Sequence, residues 1–160
     1  MRAFVVIVAV SLALSGCART PYTLQTQFDD GQMAWSKAQG AGTIKGQGFL
    51  KTVGGDVKTC AGSEAFLVPN NAYTQEMITG ALKGGSLANR DERMSNYVRK
   101  TRCDAQGNFT FKSLPPGNWM VFTTATWGVP NGYFVSRQGG MVLNELVLAD
   151  AETKEVILTR

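Results

Sequence analysis

The rhythm of polar and apolar positions changes several times along this chain, and the changes divide it. A continuous apolar run, Ala3 to Leu14, opens the sequence. Alternation with a period of two begins near Thr43 and returns, with interruptions, to the last residues. Successive side chains of a strand point to opposite faces, so this period predicts half-buried strands. The signal is clearest in "CDAQGNFTFKSLPPGNWMVFTTATW", residues 103–127. Phe109 and Phe111 fall on one face there, and Trp119, Val121, Thr123, Ala125 and Trp127 share one face of a longer strand. Asp104 and Gly107 stand first and last in a turn, and Pro116-Gly117 fits the central pair of a type II turn.

Further strand-like runs are "TIKGQGFLKT", the approach to Cys60 after a Gly-Gly-Asp turn, and Ala65 to Val68 closed by Pro69. The tail adds "GYFVSR", "GMVLNELVLAD" and "KEVILTR". About seven short strands separated by turn signals predict an all-β domain over 43–160, an antiparallel β-sandwich. Two stretches do not alternate. Residues 71–102 contain helix formers and predict an insertion between strands, with one short helix near Asn89 to Tyr97. Residues 17–42, rich in Thr, Gln, Gly, Ser and Ala, predict a tether in which Gln32 to Gln39 can form a short helix.

The opening run has the three parts of a secretory leader: Arg2, the apolar stretch, and the small residues Ser15-Gly16. It is short for a bilayer span, which needs about 20 apolar residues. Leu14-Ser15-Gly16-Cys17 resembles the lipobox of bacterial lipoproteins. The resemblance implies a signal peptide over 1–16, cleavage before Cys17, and a lipid on the Cys17 sulfur that anchors the chain to a membrane. Ala18 in place of Asp implies the outer membrane, facing the periplasm.

Cys60 and Cys103 remain. In an exported chain two such cysteines predict a disulfide. A metal or redox pair is the alternative, but neither lies in a C-x-x-C motif and the chain has no histidine to complete a zinc site. The missing histidine also removes the commonest general base. A formal charge of +4 is too small to predict nucleic-acid binding. Within the insertion Arg90, Arg93, Arg99 and Lys100 crowd together. They read either as a solvated face with local ion pairs or as a docking patch for an anionic partner or lipid headgroups.

"GGDVKTCAGSEAFLVPNNAYT" and "YVRKTRCDAQGNFTFKSLPPGNWMVFTTATW" resemble the carboxypeptidase-regulatory-like domains. The resemblance covers about residues 43–127 and implies a transthyretin-like (prealbumin-like) sandwich without shared catalytic residues. "GQGFLKT" lacks the second glycine of a phosphate loop, G-x-S-x-G is absent, and the carboxylates show no calcium-loop spacing. The expectation is therefore a non-enzymatic, lipid-anchored envelope protein that binds or scaffolds a protein partner, with no cofactor and no metal. The alternative is a small-ligand or polysaccharide binder using Trp35, Trp119 and Trp127 as a stacking surface.

Overall fold

The computed structural model describes residues 20–83 and 86–160. Two four-stranded sheets pack face to face, so the predicted sandwich is present. In the first sheet β1 (Gly42–Lys51) is central. It pairs antiparallel with β2 (Val57–Thr59) and β5 (Asn108–Leu114), and parallel with β8 (Thr153–Leu158). The second sheet has the order β4-β3-β6-β7, with β4 at Arg99–Arg102, β3 at Glu64–Pro69, β6 at Gly117–Asn131 and β7 at Phe134–Leu148. Its pairings are all antiparallel.

The alternation of the sequence has become the core. Ile44, Leu67, Leu114, Trp119, Val121, Leu148 and Leu158 are buried between the sheets. Phe109 and Phe111 lie there too, as do Val121, Thr123 and Ala125 of the predicted face of β6. Cys60, after β2, and Cys103, after β4, are joined by a disulfide with Cα atoms 5.9 Å apart. The bridge ties one sheet to the other inside that core.

The antiparallel sandwich stands, with one parallel pairing, β8 beside β1, where the chain returns from the second sheet to the first without a hairpin. Four other expectations need correction. The tail runs "GYFVSR" and "GMVLNELVLAD" form one strand, β7, which continues through Gly139 and Gly140. Gly139 has φ +99°, a backbone that glycine adopts without a side-chain clash.

The main helix of the insertion is α2 (Ala72–Leu82), not Asn89 to Tyr97, where only a 3₁₀ turn forms over Glu92–Tyr97. A capping box starts α2: the Asn71 side chain accepts from the Thr74 amide, and the Thr74 hydroxyl accepts from the Asn71 amide. Tyr73, Met77 and Ile78 then face the sheet. The insertion is also shorter than predicted, since Arg99 to Arg102 already belong to β4.

The described part of the expected tether is packed on the domain. It holds a short helix α1 (Asp30–Met33) and a 3₁₀ turn (Ala34–Lys37); Met33, at the end of α1, is fully buried and Leu24, ahead of it, nearly so. Both join Val68, Tyr73, Ile78, Met94, Tyr97 and Met120 in a second cluster on the outer face of the second sheet. A few spaced apolar anchors thus fix a segment that is polar on average. Cys17 and the whole leader lie outside the described residues.

Candidate functional site

At the end of the sandwich where β6 begins, three chain segments converge. The α1 region supplies Gln32 and Trp35, the β3–α2 junction supplies Asn70 and Asn71, and the β5–β6 turn supplies Pro116, Gly117 and Asn118. Between them lies an open cleft of about 490 Å³. That volume is in the range of small-molecule sites, about 300–1,000 Å³.

Each wall has a local cause. Trp35 is half-buried; its ring meets Trp119 edge-on at 4.8 Å, and its Nε1 donates to the Gln32 carbonyl at 3.0 Å. Gly117 permits this placement, because a Cβ there would overlap the Trp35 ring. Asn70 is fixed three ways. Its backbone amide donates to the Asn118 carbonyl at 2.9 Å, its Nδ2 donates to Glu145 Oε2 at 2.9 Å, and its Oδ1 accepts from Gln75 at 3.0 Å. Asn71 is held by its cap on Thr74, and its buried Nδ2 has no hydrogen-bond partner among the described residues. An unpaired buried donor costs about 1–3 kcal/mol.

The cleft therefore presents one indole and four side-chain amides, with a carboxylate behind them. Amides both donate and accept, and an indole face suits flat apolar surface. This chemistry fits an uncharged ligand rich in hydroxyls. A second depression, about 510 Å³, crosses the outer face of the first sheet between Lys45, Gln47, Asn108, Thr110 and Glu155, with no exposed indole.

Of the three tryptophans, then, Trp35 alone lines this cleft. Trp119 is fully buried, and Trp127 packs half-buried against the core on the far part of β6. They do not form one stacking surface. The amides were missed in the sequence because "PNN" and "PPGN" carry turn chemistry, which masks any other role.

The four candidate docking cations do not form a free patch. Arg93 pairs with Asp91 and Asp30, both at 2.8 Å, and lies over the Phe28 ring. Its hydrogen bonds hold the Asp91 carboxyl below the usual carboxylate range. Arg99 reaches across to the backbone carbonyls of Ser36 at 2.7 Å and Ala38 at 3.2 Å, and its partial burial lowers its pKa. Lys100 pairs with Glu64 at 3.5 Å. Arg90 is exposed. The charges mostly hold the 20–41 segment and the strand edge in place.

Among the described residues no three His, Cys, Asp or Glu side chains gather as a metal site, and no helix is long and apolar enough to cross a membrane. No protein-family model matches the chain, and no curated protein matches it. A solved structure does. The 2.61 Å crystal structure of a proposed carbohydrate binding protein from Pseudomonas aeruginosa superposes with a TM-score of 0.75. The match covers 84% of this chain and 99% of that one, at 23% identity. At that identity the likeness establishes the fold.

Proposed function

We propose that this chain is a non-catalytic binding module for neutral glycans, held at the cell envelope by a lipid on Cys17. The observation that carries the reading is the cleft itself, where the Trp35 indole faces Gln32, Asn70, Asn71 and Asn118 with no formal charge on any of the five. Sugar rings pair an apolar face with a rim of hydroxyls, and this lining offers a partner to each. The description of the structural neighbour as a carbohydrate binder lends support, as does the shared sandwich. The lipobox resemblance supports the anchor and an outer-membrane location facing the periplasm. In this reading the chain is a relative of the carboxypeptidase-regulatory-like domains. Its "DAQGNFTF" and "LPPGNW" segments form the turn into β5 and the turn into β6.

The test is a titration of the full chain with a panel of neutral and acidic oligosaccharides, followed by tryptophan fluorescence. A neutral oligosaccharide is expected to bind, with affinity falling about tenfold or more in Trp35→Ala and in Asn118→Ala. Binding that both variants leave unchanged, or no binding across the panel, overturns the site. The anchor is tested separately by metabolic labelling with a fatty-acid analogue, which Cys17→Ser is expected to abolish.

A further inference from the structure

The other end of the molecule carries a feature that glycan binding does not use. β6 and β7 pair rung for rung from Gly117–Leu148 to Asn131–Phe134. β3 accompanies β6 only from Trp119 to Thr123. From Thr124 to Asn131, β7 is the one strand paired with β6 among the described residues. Eight rungs make a ribbon about 25 Å long at about 3.4 Å per residue. Trp127 lies across Gly139 and braces its base, since a Cβ at Gly139 would run into the indole. The tip is a two-residue turn, Gly132-Tyr133, with Gly132 at φ +60°, as a type II′ hairpin requires.

What the tip displays is apolar. Tyr133 is fully exposed, Phe134 is 78% exposed and Val135 73%. Val53, in the β1–β2 turn at the same end, is fully exposed too. Two-stranded ribbons are marginal in water, and a chain rarely leaves three consecutive large apolar side chains on one without a partner for them. The charge pattern narrows the partner. No Asp or Glu occurs anywhere from Ala105 to Asn144. The cations beside the ribbon are Arg137 on β7 and Arg160, whose guanidinium lies 3.5 Å from the Gly139 carbonyl. An aromatic tip above two arginines, on a ribbon that carries no carboxylate, matches a surface that is apolar inside and anionic at its face. The one acid of the neighbouring β1–β2 turn, Asp56, is paired with Lys58.

We infer that the β6–β7 tip docks on an anionic lipid bilayer, with Tyr133, Phe134 and Val135 entering the headgroup boundary and Arg137 and Arg160 resting on the lipid phosphates. The contact is independent of any lipid on Cys17, and of glycan binding at the opposite end. It orients the domain, so that the ribbon points to the membrane and the cleft away from it.

The experiment uses the full chain with Cys17→Ser, so that no lipid attaches, and an environment-sensitive fluorophore on Asn131→Cys beside the tip. A second protein carries the label on Asp150→Cys, in the β7–β8 turn at the cleft end. Vesicles of phosphatidylcholine with about one-third phosphatidylglycerol are added. The label at 131 is expected to shift to the blue and brighten about threefold, and to be quenched by brominated acyl chains, while the label at 150 stays in water. The response is expected to weaken in about 0.5 M salt. Tyr133→Ser/Phe134→Ser/Val135→Ser, whose changes are all exposed, is expected to lose it while keeping the native melting transition. An unresponsive 131 label overturns the inference, as does an equal response at both sites. A response that follows protein concentration without vesicles overturns it as well, and assigns the tip to a second copy of the chain.

Discussion

The bridge between Cys60 and Cys103 joins residues 43 positions apart and closes a loop that holds β3, α2 and β4. Reduction removes that constraint from the unfolded chain and leaves the folded one nearly untouched. The folded site is ready for two thiols: Cys60 Sγ lies 3.3 Å from the Gly107 carbonyl, and Cys103 Sγ lies 3.7 Å from the Thr123 hydroxyl. The effect is therefore mostly entropic. For a loop of this size the chain-entropy relation gives about 4 kcal/mol at 25 °C. With a urea dependence of about 2 kcal/mol per molar, the unfolding midpoint is expected to fall by about 2 M on reduction. The dependence itself should steepen, because the reduced chain exposes more surface when it unfolds. Urea melts with and without a non-thiol reductant, read through the buried Trp119, measure both. A midpoint that moves by less than about 0.5 M would refute the reasoning and place the stability of the sandwich in its packing alone.

Three further outcomes are expected. Gly117→Ala sets a methyl group against the Trp35 ring at a backbone φ of +153°, so it should displace the indole, change its emission, and weaken any ligand of the cleft while the rest of the fold persists. Glu76 accepts from the backbone amides of Gln25 at 2.8 Å and Thr26 at 2.7 Å, and from the Tyr22 hydroxyl at 3.2 Å. These bonds, the Gln25 amide first, lower its pKa from 4.5 to about 2. A lowered folded pKa means that this pinning of residues 22–26 is complete above 4.5 and fades as pH falls towards 2. The Gln25 and Thr26 amide shifts should titrate near pH 2, and a midpoint close to 4.5 would refute the assignment. Asn71→Ser keeps an oxygen to cap α2 but removes the unpaired Nδ2, so thermal unfolding should show a gain of about 1 kcal/mol; a loss would mean that the amide is satisfied.

Local features were legible in the sequence, and features assembled from distant segments were not. The Asp104–Gly107 turn closes with a 3.0 Å hydrogen bond between its ends, as the residue types require. The inward faces follow the period-two pattern along β6 from Trp119 to Ala125 and along β5 as far as Phe111. Beyond it Ser113, at φ +57°, shifts the register and brings Leu114 inward. Two unassigned cysteines, behind a leader-like N-terminal run, are enough to predict the bridge. By contrast, the burial of Met33 depends on Val68 and Met120, far along the chain, and nothing beside Met33 announces them. Arg93 and Arg99 looked like surface charge because their partners, Asp30 and the Ser36 carbonyl, are each 63 residues away. The cleft is the extreme case, since its three walls acquire a common purpose only after the sheets have packed.

The parallel pairing of β1 with β8 bears on how the domain is made. β1 is the middle of its sheet, yet the partner on one of its sides is the last of the eight sandwich strands to be made. Until residues 153–158 exist, the Thr43–Gly48 stretch keeps a row of unpaired amides and carbonyls. The sandwich cannot close until β8 has been made, a long-range pairing that favours slow folding. A product cut short before Thr153 would carry an open edge available to any extended chain nearby.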